Sequence, residues 1–123
     1  MIMKIRLVAL KAKPSKRHLA KNAKSPKTLE DLSNDSDFHV QFYVASNPNC
    51  PAEILEKLSN YSGYNFRYQI ALNHNCSADL FENLSKDSDF HVRCNVAYNQ
   101  NCPVEILKKL SQDSDRIVRY YAN

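Results

Sequence analysis

The apolar residues of this chain fall into short clusters that return at a constant spacing. Leu58, Leu84 and Leu110 lie 26 residues apart, and each closes a cluster whose other members stand three and four positions earlier. This spacing places apolar side chains on one face of a helix. The clusters are Ile54, Leu55 and Leu58; Leu80, Phe81 and Leu84; and Ile106, Leu107 and Leu110. We predict a short amphipathic helix at each cluster.

A second apolar pattern, spaced i, i+4, follows each cluster and predicts a second helix. Its members are Val40 and Val44, Phe66 and Ile70, Val92 and Val96, and Val118 and Ala122. Asp-Ser-Asp precedes three of these pairs, at 35–37, 87–89 and 113–115, and provides good N-cap residues. For the first helices we expect the thiols of Cys50, Cys76 and Cys102 as N-caps. Asn22, Asn47, Asn73 and Asn99 stand where Asn in the left-handed conformation ends a helix.

The fixed period indicates an all-α protein built of stacked units, an α-solenoid. Helices of about two turns do not persist alone, so stacking between units must stabilise them. We predict one domain of four two-helix repeats of about 26 residues. The predicted divisions are a basic N-terminal cap at 1–18, repeats at 19–43, 44–69, 70–95 and 96–121, and an unfinished repeat at 122–123.

The repeated segment Ala-x-Asn-Pro-Asn-Cys-Pro-x-Glu-Ile-Leu-x-x-Leu-Ser, followed by Asp-Ser-Asp-x-x-Val-Arg, resembles the leucine-rich repeat variant family, a helical relative of HEAT-type repeats. The resemblance covers residues 19–123. It implies a right-handed superhelix of short helices. Some members of the family carry an iron–sulfur cluster in a separate Cys-rich segment, and this sequence contains no such segment.

The resemblance also implies a ladder of Asp–Arg pairs along the stack. The matching positions are Asp87 with Arg93 and Asp113 with Arg119. Gln41 replaces the Arg opposite Asp35, and Tyr61 replaces the Asp opposite Arg67. We therefore expect the ladder to be interrupted in the N-terminal half.

The charge of the chain is unevenly distributed. Residues 1–27 contain nine basic residues and no acid, whereas the remainder contains eight basic and thirteen acidic residues. A basic end attracts phosphates, anionic lipid or an acidic protein surface; the alternative is a solvated cap. The candidate binding residues at this end are Lys4, Arg6, Lys11, Lys13, Lys16 and Arg17.

Tyrosines mark a second candidate binding site, in the unit that departs most from the repeat. Tyr61, Tyr64 and Tyr68 surround the single glycine, Gly63. Tyrosine is favoured at interfaces because it buries a large area at low entropic cost. The alternative is local packing that replaces the usual buried residues of the repeat.

A candidate self-association surface lies at the C-terminal unit. The sequence contains no following helix to cover Ile117, Val118 or Tyr121. Weak self-association would cover them, and a two-fold dimer is a closed arrangement. The alternative is that the chain is a fragment of a longer array.

Cysteines and histidines carry no recognisable chemistry at this spacing. A 26-residue period separates equivalent thiols by roughly a helix–helix distance of 8–10 Å, too far for a disulfide or a shared zinc ion. His39 and His91 stand two units apart, and no nucleophile–base set is apparent. We predict reduced thiols and no catalytic, metal or cofactor site.

We interpret the sequence as a non-catalytic scaffold for protein–protein interaction, of bacterial type and cytoplasmic. No apolar run approaches the ~20 residues that span a bilayer, so no membrane partner is expected. The alternative is a HEAT-like nucleic-acid-binding protein that acts through its basic N-terminal end. An enzyme is the third and least favoured reading.

Overall fold

The computed structural model describes residues 14–60 and 63–123, without the side chain of Tyr64. Within these residues the chain forms nine helices and no strand, which confirms the all-helical prediction. The helices are α1 (Lys16–Asn22), α2 (Pro26–Ser33), α3 (Phe38–Ser46), α4 (Ala52–Ser59), α5 (Tyr64–Leu72), α6 (Ala78–Leu84), α7 (Phe90–Tyr98), α8 (Val104–Leu110) and α9 (Arg116–Ala122).

The odd-numbered helices pack against one another in chain order, α1 on α3, α3 on α5, α5 on α7 and α7 on α9. Each even-numbered helix packs on the odd-numbered helix that follows it. A structural unit is therefore an even helix with the next odd helix, such as α4 with α5. The sequence-based divisions at 43/44, 69/70 and 95/96 fall inside α3, α5 and α7.

The repeated leucines lie in the core, as the sequence predicted. Leu58 is fully buried, and Leu84 and Leu110 are 4% and 3% exposed. Phe66 and Phe81, from the two apolar patterns, are the largest buried side chains. Burial of both patterns joins neighbouring units through one continuous hydrophobic cluster, which is how helices of seven to nine residues remain folded.

The N-caps of the odd helices were predicted correctly, and those of the even helices in part. The Asp37, Asp89 and Asp115 carboxylates accept hydrogen bonds from the backbone N–H two residues later, at 2.7–2.8 Å. The expectation of thiol N-caps is wrong. The cap positions of α4 and α8 are Pro51 and Pro103, which make no side-chain cap bond.

The cysteines instead fill apolar space. Cys50 and Cys102 are buried in the core, Cys94 is buried between odd helices, and Cys76 is half-buried. A thiol is a weak hydrogen-bond acceptor and behaves as a small hydrophobic group, so burial is favoured over capping. Serine hydroxyls do cap α2 and α6, where Ser25 and Ser77 precede the helix.

Candidate interaction surface

A row of buried asparagines links successive units. The Asn73 side-chain nitrogen donates to the backbone oxygens of Ala45 at 2.9 Å and Asn47 at 3.0 Å. Asn99 repeats this with Ala71 and Asn73, at 2.9 and 3.1 Å. The Asn73 side-chain oxygen accepts from the Asn75 backbone N–H. Each asparagine thus completes the helix end of the preceding unit.

These bonds replace the left-handed helix ends expected from the sequence. Asn47, Asn73 and Asn99 have φ between −67° and −75°, and no described residue has positive φ. The expectation was wrong because the asparagine side chain, rather than its backbone conformation, is what the position requires. Recurrence of Asn at the 26-residue period was the available signal.

A ladder of ion pairs also runs between units rather than within them. Arg67 Nε lies 2.6 Å from Asp87 Oδ2, and Arg93 Nε lies 2.9 Å from Asp113 Oδ2. Within its own unit, Arg93 Nη1 donates to the Asp87 backbone oxygen at 2.8 Å. The pairings implied by the resemblance, Asp87 with Arg93 and Asp113 with Arg119, are therefore backbone contacts.

The ladder is present at the N-terminal end, contrary to expectation. Lys16 Nζ lies 2.9 Å from Asp35 Oδ2 and takes the position of the arginine. Gln41 Nε2 donates to the Asp35 backbone oxygen at 2.7 Å, which replaces the second arginine contact. The step from Gln41 to Tyr61 lies outside the described residues.

The carboxylates of these pairs are held in the charged form. Burial alone would raise the pKa of Asp113, but hydrogen bonds from Arg93 and from the Asp115 backbone outweigh it and lower the pKa below 3.8. The pKa of Asp35 is also lowered, first by the Asp37 backbone N–H and then by Lys16. The pairs therefore stabilise the stack at neutral pH.

The odd helices expose aromatic and apolar side chains on one face, which we call the aromatic face. Its most exposed members are Tyr98 at 64%, Phe38 at 47% and Tyr121 at 44%. The face contains Phe38, Phe42, Tyr43, Tyr68, Phe90, Tyr98, Ile117 and Tyr121. The sequence analysis identified only Tyr68, Ile117 and Tyr121 among these residues.

Two grooves open on the aromatic face. The first, of about 370 Å³, lies between α3 and α5. The second, of about 530 Å³, crosses α5, α7 and α9 and is called the α5–α9 groove. It is lined by Tyr68, Leu72, Phe90, His91, Cys94, Asn95, Tyr98, Ile117 and Tyr121. The Phe90 and His91 rings lie 4.0 Å apart at one end, and Tyr98 meets Tyr121 edge-on at 5.7 Å at the other.

The predicted basic site is divided by the structure. Lys16 pairs with Asp35, and both Nε and Nη2 of Arg17 lie 3.3 Å from Asp37 Oδ2. Lys4, Arg6, Lys11 and Lys13 lie outside the described residues. These four account for the net charge of +4, so residues 14–123 have a net charge of zero.

The other candidate residues have different fates. Tyr68 lines both grooves, while Tyr61 and the side chain of Tyr64 lie outside the described part. In the self-association candidate, Ile117 and Tyr121 are each 44% exposed, but Val118 is fully buried. The expectation that Val118 is uncovered is wrong, because it points into the core that α9 shares with its neighbours.

Titratable side chains near the face are paired locally. His91 Nδ1 lies 3.0 Å from Asp89 Oδ1, and His39 Nδ1 lies 3.4 Å from Asp37 Oδ1. Burial raises the pKa of the Cys50 and Cys76 thiols to about 12. All four cysteines are free. Across residues 14–60 and 63–123, no group of His, Cys, Asp or Glu has metal-site geometry, and no helix is long and apolar enough to cross a membrane.

Comparison with known families identifies one unit of the chain. Residues 90–115, which span α7 and α8, match the leucine rich repeat variant. This match confirms the resemblance seen in the repeated motif. Comparisons with curated proteins and with solved structures found no match.

Proposed function

Residues 90–115 form a leucine rich repeat variant unit, and from that premise we propose that the chain is a right-handed α-solenoid of four such units that binds a protein partner. The helix contacts support this architecture, because every odd helix packs on the next. The continuous core and the asparagine bonds between units support it further. The basic segment 1–18 acts as the N-terminal cap in this proposal.

The aromatic face is the proposed binding surface. Its exposed rings carry the proposal, because Tyr and Phe contribute large contact area at interfaces at low cost in side-chain entropy. The rings are supported by buried residues on the same helices, including Val92, Val96 and Val118. Such a preformed surface loses little conformational freedom on binding. We propose no catalytic role and no cofactor.

Selection from a displayed library of twelve-residue peptides tests this proposal. We expect peptides enriched on the native protein to lose binding to a Tyr98→Ser/Tyr121→Ser variant. Val104→Ser is the matched control, since Val104 is 59% exposed on α8, outside the aromatic face. Equal loss of binding in the control, or no enrichment at all, would refute the proposed surface.

We retain weak two-fold self-association through the C-terminal unit as a second interaction. Ile117 and Tyr121 support it, since both are exposed on the last described helix. Sedimentation velocity over a concentration series tests it. A monomer at high micromolar concentration would rule it out, and an Ile117→Glu variant should remain monomeric where the native protein associates.

The nucleic-acid alternative rests on one observation. The whole excess of positive charge lies in residues 1–13, while Lys16 and Arg17 are already paired with carboxylates. Any phosphate-binding role therefore belongs to Lys4, Arg6, Lys11 and Lys13 rather than to α1.

A further inference from the structure

The ion-pair ladder establishes which residues of successive units are equivalent. Lys16, Arg67 and Arg93 each pair with a carboxylate of the following unit. The next residue along each of these helices is therefore also equivalent. These residues are Arg17, Tyr68 and Cys94, and they stand beside the N-cap carboxylates Asp37, Asp89 and Asp115 of the following helix.

The first of these positions contains an arginine–carboxylate pair. Arg17 binds Asp37 through two guanidinium nitrogens, each 3.3 Å from the same oxygen. At the later positions the cation is missing, because a tyrosine and a cysteine replace the arginine. Among residues 14–60 and 63–123, Asp115 forms no ion pair, and Asp89 is paired only with His91.

Cys94 and Asp115 are close in the structure. Burial is the main cause of the raised pKa of the Cys94 thiol, and the charge of Asp115 is the next largest. Asp115 uses its Oδ1 atom to cap α9 through the backbone N–H groups of Ile117 and Val118. Its other oxygen, Oδ2, has no hydrogen bond within the described residues.

The space that an arginine would occupy at this position is open. Cys94 lines the α5–α9 groove, together with the stacked rings of Phe90 and His91. A guanidinium group favours both a carboxylate partner and the face of an aromatic ring. Arg93, the nearest cation, is held by Asp113 and by backbone oxygens, so it does not neutralise Asp115.

We propose that the α5–α9 groove binds an arginine side chain of an extended partner segment, with its guanidinium on Asp115 as that of Arg17 is on Asp37. This inference rests on the proposed function and specifies the partner. The apolar side chains next to that arginine contact Tyr98, Ile117 and Tyr121, which line the same groove. The groove between α3 and α5 lacks this property because Arg17 already occupies Asp37.

An amide NMR titration with three nine-residue peptides tests the proposal. Each peptide has a leucine on both sides of a central residue and Gly-Ser flanks, and the central residue is Arg, Gln or Glu. We expect shifts around the groove with the Arg peptide and binding that is about tenfold weaker or more with the Gln peptide. Equal affinity for the Arg, Gln and Glu peptides would overturn the arginine site.

Asp115→Asn isolates the charge, because Asn is as good an N-cap as Asp. This variant should lose the preference for the Arg peptide over the Gln peptide. Asp37→Asn changes the equivalent cap in the first unit and is the matched control; it should leave the preference intact. An unchanged preference in Asp115→Asn, in protein that melts like the native form, would also overturn the site.

Cys94→Arg provides a second test. The new side chain should occupy Asp115 from within the molecule, as Arg17 occupies Asp37, and block the Arg peptide. Full binding of the Arg peptide by a folded Cys94→Arg protein would contradict the proposal. If library peptides bind the aromatic face without an arginine, the proposed function stands and the arginine site alone fails.

Discussion

Asn73 donates a side-chain hydrogen bond to the backbone oxygen of Ala45, 28 residues earlier, at 2.9 Å and out of contact with solvent. The same side chain also binds the backbone oxygen of Asn47. A residue that resembles a helix-ending asparagine in the sequence is thus the connection between two units.

Asn73→Ala should destabilise the protein by about 2–4 kcal/mol. Removal of the amide leaves two buried carbonyl oxygens without a donor, and each such loss costs about 1–3 kcal/mol. Guanidinium unfolding measures the change. Asn22→Ala is the control, because Asn22 is exposed and bonds only to His18 of its own helix. A similar loss in both variants would show that the connection between units is not the cause.

Leu84→Ala should cost about 2–5 kcal/mol, the range for truncation of a buried leucine. Leu84 is 4% exposed, whereas Leu19, the control, is 38% exposed and should cost clearly less. Thermal and guanidinium unfolding measure both. A loss below about 1 kcal/mol at Leu84 would contradict its place between the units.

Asp113→Asn should lower stability at neutral pH by about 1–2 kcal/mol, since a charge-assisted pair is lost while the turn bond to the Asp115 backbone is kept. The folded pKa of Asp113 lies below its ordinary value of 3.8. Its contribution is therefore present above about pH 3.8 and is lost as the pH falls through the folded value.

Unfolding free energies measured from pH 7 to pH 2 check this prediction. The native protein and Asp113→Asn should converge at low pH, where Asp113 is protonated in both the folded and the unfolded chain. Asp31→Asn removes an exposed carboxylate that forms no ion pair within the described residues, and it should follow the native curve. Curves that stay parallel down to pH 2 would contradict the role of the pair.

The buried thiols should react slowly in the folded protein. Burial raises the pKa of Cys50 from 9.0 to about 12, so its thiolate fraction at pH 8 is about 1,000-fold below that of an exposed cysteine. Titration with a thiol-specific reagent should find four thiols in denaturant and little immediate reaction without it. Elemental analysis should find no zinc or iron. Rapid native reaction at Cys50 would contradict its burial.

The nucleic-acid alternative predicts binding that weakens steeply with salt, because phosphate contacts release counterions. Replacement of Lys4, Arg6, Lys11 and Lys13 by Glu should abolish it. Replacement of Lys16 and Arg17 is the poorer test, because it also breaks their pairs with Asp35 and Asp37. Flat curves with duplex DNA, single-stranded DNA and RNA at ~50 mM salt would exclude this function.

The helices and the core could be predicted because each follows from local periodicity. Leu58, Leu84 and Leu110 state their burial by their spacing, and Asp37, Asp89 and Asp115 act within their own helix. The error on the cysteines has a similar local origin. A residue before proline looked like a cap, but its thiol is too apolar to act as one.

Features that join units could not be predicted in the same way. Lys16 pairs with Asp35 across two helices, and the register between units decides that pairing. The aromatic face was missed because Phe38, Phe90 and Tyr98 stand at positions where the repeat differs from unit to unit. Their common exposure follows from the stacking of the odd helices, which the spacing alone does not define.

The asparagine bonds also have a consequence for the growing chain on the ribosome. The carbonyl oxygens at the end of α3 receive their donors from Asn73, about one repeat further along. A newly made unit therefore stays open at that end until the next unit has left the ribosome exit tunnel. Folding follows translation with a delay of about one repeat, and it proceeds in one direction along the array.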